Sequence, residues 1–453
     1  MIIKCYNEKV LRRLFMEKQI TKDLISFINA SPTSFHANAT VKAKLKEEGF
    51  KELTEGSHWD LQAGHKYFVS KNTTAIIAFE IGTKLDQYSF NISAAHCDAP
   101  TFKVKPIAKI ESDGHYQKLN VEMYGGALCA PWFDRPLSVA GRVIVKNGNR
   151  FETKLVNVDR DLLIIPNVAI HFDRDANNGK KYNVQINMLP LLGSSSLDAD
   201  AFDKLIASEL NVEKEAIYAS ELYLYPRCSG TIIGLNEEFI GSPRLDDLQC
   251  VYSTLNGFLA GKSEQSINVF YMADNEEVGS STKQGAASTF LIDTLRRINS
   301  GLGYDEEKLQ RALAASMIVS ADNAHAAHPN NPELADPINR VYMNEGVVIK
   351  YSARQAYTTD AMSAALFINC CKKANVPYQN YTNRSDLPGG GTLGSISSHQ
   401  VSIASVDIGL AQLAMHSCYE LAGVKDTYYA IEAMKAFYSQ HLVEVEAGVI
   451  EAQ

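Results

Sequence analysis

None of the eight cysteines (5, 97, 129, 228, 250, 370, 371 and 418) forms a Cys-x-x-Cys pair, and their spacing is not that of a stapled secreted fold. Reduced thiols, packed as small hydrophobes, are expected. No apolar run reaches the roughly 18 residues that a membrane-spanning helix needs. The opening "MIIKCYNEKVLRRLFMEKQ" interrupts its apolar residues with charges every few positions, so the apolar core of a signal peptide is missing too. A cytoplasmic protein with no membrane partner is expected. No Lys/Arg block stands out, and 52 acidic against 44 basic side chains give a net charge of −8. That balance excludes the electrostatic footprint of a nucleic-acid binder. Internal repeats and low-complexity linkers are absent as well.

What remains is an ordinary globular composition: 453 residues, 45% hydrophobic and 21% charged, enough for a large core and two domains. The first hundred residues alternate periods. "ITKDLISFINA" has helical spacing and stops at "SPTSFH", while "TAIIAFEIG" and "YSFNISAA" are short buried-strand runs. From about 102 to 234 the texture changes to strand-like runs such as "KLNVEMYGG", "AGRVIVKNGN" and "LLIIPNVAIHF", separated by turn residues. Alternation then resumes, with "SINVFYMAD", "AASMIVSAD" and "VSIASVD" as strands and "ASTFLIDTLRRIN", "TDAMSAALFINCCKKA" and "YYAIEAMKAFYSQHL" as helices. The pattern predicts an α/β domain from residues 1–101 and 235–453, interrupted by a β-rich insertion over 102–234.

Three strand-like runs end in residues that bind metals. "NISAAHCD" delivers His96 and Asp98, "VFYMADNEE" delivers Glu276 and Glu277, and "MIVSAD" delivers Asp322. Ligands of open α/β sheets sit beyond the carboxyl ends of strands, so three such endings together point to one shared site. Each alone would read as a helix cap or a turn. "SPRLDDLQC" adds Asp246 and Asp247, and "AQLAMHSCYE" places His416 in an apolar run at helix-like spacing, where a buried, satisfied histidine is the alternative to a ligand. Imidazoles and carboxylates without thiolates suit Zn²⁺ or a similar ion in a hydrolytic site, with Mn²⁺ or Co²⁺ as substitutes.

"AAHCDAP", "SPRLDDL", "DNEEVGSS", "SADNAHAAHPN" and "LAMHSCYE", in this order, closely resemble the M18 family of metallo-aminopeptidases, the aspartyl aminopeptidase group. "SPTSFHA", "GHKYFVSKN", "MYGGALCAPWFDRPLSVAGRV", "PNVAIHFDR", "GVVIKYSARQAYTTD" and "SDLPGGGTLGS" extend the likeness over nearly the whole chain. The resemblance implies a zinc-peptidase-like α/β/α sandwich interrupted by a β-rich dimerisation domain, with dimers assembling to a dodecamer. It also implies two metal ions. His96 and Asp322 would hold one, Glu277 and His416 the other, and Asp246 would bridge them. Glu276 would be the general base, and Asp98 would orient His96, its alternative being a turn-forming aspartate.

The implied activity is removal of an N-terminal residue, preferably Asp or Glu, from peptides. A broader or neutral-preferring aminopeptidase, a zinc amidohydrolase of acylated amino acids and a non-enzymatic assembly protein are the rivals. Lys350 would meet the acidic side chain, or be a solvated lysine at a strand end. Tyr357 and the run Gly389 to Gly391 would help position substrate. His171 would reach from the insertion into a neighbouring subunit's site, or pack at a strand end. His325 and His328 would line the pocket or hydrogen-bond behind it. Cys129, Pro131, Asn323 and Ala356 depart from the family pattern at positions outside the proposed ligands. Ala356, beside Tyr357, leaves side-chain preference the open question.

Overall fold

A computed structural model describes residues 2–387 and 389–453, with side chains from Arg13 onward; Cys5 lies outside the described side chains. The runs read as buried strands assemble into one nine-stranded sheet. Its strands are β1 (Lys51–Leu53), β2 (Lys66–Lys71), β3 (Ala75–Ile81), β4 (Ser89–His96), β5 (Ser266–Ala273), β6 (Met317–Ala321), β7 (Val347–Tyr351), β8 (Tyr378–Thr382) and β9 (Ala404–Gly409). Their spatial order is β1-β2-β3-β5-β4-β6-β9-β7-β8. The central block β5-β4-β6-β9 is parallel throughout, so four carboxyl ends point to the same edge.

Near-continuous apolar sequence is what a sheet covered on both faces requires. Side chains of β5 alternate accordingly. Phe270 and Met272 pack with Phe258, Phe367, Met434 and Phe437 on one face, while Val269, Tyr271 and Ala273 pack with Phe290, Leu295 and Ile298 on the other. The first layer holds the helices Leu245–Ala260, Ala361–Ala374 and Val424–Tyr438; the second holds Phe290–Gly301 and Glu306–Ala314. This is the expected α/β/α sandwich. Phe270 is fully buried, 6.1 Å from Phe258 between ring centroids, and truncating it to alanine would cost about 3–5 kcal/mol.

A second sheet, of six strands, takes its members from Thr101–Ser112, Tyr116–Tyr124, Leu137–Asn147, Arg150–Asn157, Leu191–Ser194 and Ile217–Pro226. It has its own core around Phe102, Trp132, Val143 and Leu222. Short strands Thr231–Ile233, Phe239–Ser242, Ala324–His325, Ala411–Leu413 and Glu420–Gly423 form a third sheet that no periodicity announced. "AQLAMHSCYE" is therefore not helical: His416 lies in the loop between two strands of this sheet, with φ 66°. Among the described residues no disulfide forms, and no helix is long and apolar enough to cross a membrane.

Candidate metal centre

The carboxyl edge of the parallel block gathers the polar strand endings. His96 is the last residue of β4 and pairs with Ala273, the last of β5. Beyond β5 the chain passes through Asn275, at φ 61°, into a turn over Glu276–Val278. Asp322 follows β6 directly. Because β5, β4 and β6 are neighbours in the sheet, their three endings converge.

Two further segments close the site from outside the sheet. Asp246 and Asp247 open the helix Leu245–Ala260 in non-helical backbone conformations, which turns both carboxylates inward. His416 arrives from its loop. Its Nε2 lies 3.3 Å from Glu277 Oε2 and 3.6 Å from Asp246 Oδ2. The other oxygen of Asp246, Oδ1, lies 3.3 Å from His96 Nε2, so one buried carboxylate spans the two imidazoles.

Possible donor atoms form three overlapping groups, each within 4.8 Å: His96, Asp246, Asp247 and Asp322; His96, Glu276 and Glu277; and Asp246, Glu277 and His416. The first and third share only Asp246. Asp246 Oδ1, Asp247 Oδ1 and Glu277 Oε1 are buried without a hydrogen-bond donor among the described residues. Burial pushes Glu277 and Asp247 well above the usual carboxylate range, reinforced by nearby acids, and raises Asp322 as well. Glu276 is pushed up to about 7 by burial, with Asp322, Asp98 and Asp246 adding to it. Burial also opposes ionisation of Asp246, but the imidazoles outweigh it and hold the group low. Unpaired acceptors and mutually repelling buried carboxylates are the donor chemistry that a divalent cation satisfies, and the residues present fit zinc.

Asp98 organises the Glu pair. Its Oδ1 accepts the backbone N–H of Glu276 and its Oδ2 that of Glu277, both at 3.1 Å, while Tyr124 donates its hydroxyl to Oδ2 at 2.7 Å. His96 Nδ1 lies 3.1 Å from the Asp98 carbonyl and 3.4 Å from its Oδ1, which directs Nε2 toward Asp246.

The substrate-side residues are more scattered. Lys350 is 2% exposed on β7, so it is not solvated. Its ammonium donates to the Asn323 carbonyl at 2.8 Å and sits 3.6 Å from Asp322 Oδ1. The Tyr357 ring centroid is 5.4 Å from Lys350 Nζ. His325 is exposed and, with His328, Asn383, Arg384, Gln412 and Met415, lines a cavity beside His416; Gly389 and Gly390 border it too. His171 is not packed at a strand end. It lies exposed between the strands Arg150–Asn157 and Leu191–Ser194, flanked by Ile170 and Phe172, which are also exposed.

Two residues of the centre carried no assigned role in the sequence. Asp247 joins the first donor group and also accepts the backbone N–H of His96 at 3.1 Å. Glu420, buried at the start of Glu420–Gly423, accepts the backbone N–H of both Asp246 and His416. The doubled aspartate of "RLDD" was a signal for the first. Nothing local marked the second.

The family described as Aminopeptidase I zinc metalloprotease (M18) matches residues 27–438. A protein of Clostridium novyi (strain NT) named Probable M18 family aminopeptidase 2 is 46% identical over 430 residues, which covers 93% of this chain and 99% of that protein. A solved structure described as "Cryo-EM structure of the Ape4 and Nbr1 complex" superimposes with a TM-score of 0.91 at 35% identity, over 94% of this chain and 86% of the other. Another, "Structure of S. cerevesiae mApe1 dodecamer", superimposes with a TM-score of 0.82 at 25% identity, over 92% and 96% of the two chains.

Proposed function

The chain belongs to the M18 family of zinc metallo-aminopeptidases, and from that premise we propose that it removes N-terminal residues, preferably Asp or Glu, from peptides at a centre of two zinc ions. One observation carries the dinuclear reading: Asp246 alone is common to a donor group with His96, Asp247 and Asp322 and a donor group with Glu277 and His416. His96 and Asp322 would hold one ion, Glu277 and His416 the other, with Asp246 between them. Asp247 adds a possible ligand on the first side. Manganese or cobalt would be accepted by the same carboxylate-rich donors.

Bound divalent ions supply Lewis acidity toward the scissile carbonyl and lower the pKa of water. The chain's own residues supply the rest. Glu276 belongs to neither of the two groups that Asp246 joins, and its carboxylate takes the proton of the attacking water and returns it to the leaving amine. Asp98 fixes the backbone that carries Glu276 and, through its carbonyl, the ring of His96. A free α-amine would offer its lone pair to an ion held by Glu277, His416 and Asp246, which an acylated N-terminus does not, and this distinguishes an aminopeptidase from an amidohydrolase of acylated substrates.

Acidic preference rests on Lys350, a buried cation next to Asp322, with Tyr357 beside it. A specific observation favours the broader reading: the Lys350 ammonium is already engaged by the Asn323 carbonyl and Asp322. His325 would contact substrate from the adjoining cavity. We further read residues 102–234 as a dimerisation insertion, the assembly as dimers building a dodecamer, and His171 as reaching a neighbour's site from its exposed loop. A cytoplasmic enzyme acting on peptides accords with these features.

Metal analysis together with hydrolysis of Asp-, Glu- and Leu-p-nitroanilide and an N-acetylated amino acid tests the proposal. Two zinc ions per chain and faster release from Asp or Glu are expected. Preference for the acetylated compound would overturn it, and equal rates on Leu would move the specificity to the broad reading. Lys350→Ala should then depress acidic substrates much more than neutral ones; equal losses would remove Lys350 as the reader.

A further inference from the structure

The inserted sheet meets the metal donors through one short stretch. Tyr124 ends the strand Tyr116–Tyr124, and Gly125, Gly126 and Leu128 follow at once. The Tyr124 hydroxyl donates to Asp98 Oδ2 and accepts from Asn275 Nδ2, each at 2.7 Å. Asp98 holds the amides of Glu276 and Glu277, and Asn275 is the left-handed residue that starts their turn. The carboxamide oxygen of Asn275 is occupied by Thr282 and Gln284, which leaves its Nδ2 to Tyr124.

The next residues reach the other half. Gly125 has φ 72°, and a Cβ there would stand 3.1 Å from Glu277 Cβ, so the close approach requires glycine. The Gly126 carbonyl is 3.1 Å from His416 Nδ1, and Leu128 N donates to the His416 carbonyl at 2.9 Å. With Nδ1–H directed at Gly126, Nε2 presents its lone pair toward Glu277 and Asp246.

We propose that the stretch Tyr124–Leu128 positions the donors Glu277 and His416 and the base Glu276 from the inserted sheet, with Tyr124 and Gly125 as positioning residues. A hydroxyl that donates one bond and accepts another is fixed in both, so Tyr124 ties Asp98 and Asn275 into one rigid unit on either side of the Glu turn. Without it, Asn275 Nδ2 loses its acceptor and Asp98 one of its donors, and the turn gains freedom in the plane where the carboxylates must meet His416. The insertion thereby becomes a working part of the centre.

This inference rests on the dinuclear reading, and the experiment separates the two. Metal-free full-length wild type, Tyr124→Phe and Gly125→Ala are titrated with zinc against a chromophoric chelator, well below each thermal midpoint, and kcat and KM are measured on the reloaded proteins. Wild type is expected to take two ions. Tyr124→Phe is expected to bind the weaker ion about 10-fold less tightly or worse, and to lose about 10- to 100-fold in kcat with little change in KM. Gly125→Ala is expected to lose more, because it pushes on Glu277. Wild-type zinc affinity and kcat in both variants would overturn the inference, as would a lowered thermal midpoint accompanied by unchanged affinity in the folded protein. A wild-type chain that binds fewer than two ions would instead defeat the dinuclear reading.

Discussion

Glu420 Oε2 accepts the backbone N–H of Asp246 at 3.0 Å across 174 residues of sequence. Its Oε1 accepts that of His416 at 2.8 Å, so one carboxylate sets the spacing between two donors that come from different elements. Burial pushes Glu420 well above the usual range, and the Asp246 charge adds to this, while the backbone donors pull the other way. In Glu420→Gln one oxygen becomes an NH₂ facing an N–H, and a buried donor left unpaired costs about 1–3 kcal/mol. Zinc affinity should fall about 10- to 100-fold, and the thermal midpoint should drop. A competition titration giving wild-type affinity would remove Glu420 from this role.

Much of this centre is legible before folding because β4, β5 and β6 are buried on both faces: they hold uncharged polar residues such as Asn91, Ser93, Asn268 and Ser320, but an ionisable side chain has to wait for the strand to end. His96, Glu276, Glu277 and Asp322 stand out for that reason. His416 misleads, since its apolar neighbours at helix-like spacing serve a loop between strands of three and four residues, too short to display a period. Glu420 is silent because its work is done on backbone amides far away in sequence. Lys350 is legible as a cation but not as a buried one. Its place at Asp322 follows from the antiparallel pairing of Lys350 with Asp407 on β9, a long-range register that no local run encodes.

Glu276→Gln tests the division of labour within the Glu pair. The carboxamide keeps the shape and the Asp98 contact to the backbone amide, but it cannot take a proton. Zinc content should be unchanged, while kcat should fall by about 10²- to 10⁴-fold. Full activity in a protein that still carries its metal would refute the role of the base.

His36 is expected to give the fold an acid sensitivity separate from the proposed metal ligands. Its Nδ1 lies 2.9 Å from Thr33 Oγ1, and burial, aided by the Arg244 cation, lowers its pKa to about 4. The unfolded chain takes the proton near 6.5, so the stabilisation is complete above that pH and is lost as pH falls from about 6.5 toward 4. Allowing for partial exposure, the loss by the bottom of that window is on the order of 1–2 kcal/mol. In His36→Gln the thermal midpoint should fall less steeply with acid than in wild type. Parallel curves would show that His36 contributes nothing to the acid limb.

His171 decides whether a subunit is complete alone. It sits exposed beside Phe172, itself 87% exposed, and no hydrogen bond to its side chain occurs among the described residues. His171→Ala should therefore leave the thermal midpoint unchanged. If the imidazole serves a neighbour's centre, activity should still fall well below wild type. Co-expression with Glu276→Gln makes the test strict: each chain lacks what the other has, and a mixed dimer regains one site with both Glu276 and a partner-supplied histidine. Random pairing should restore roughly a quarter of wild-type activity, since half the dimers are mixed and each carries one working site. If mixing restores nothing beyond the sum of the separate variants, or if His171→Ala alone keeps full activity, the shared site is wrong.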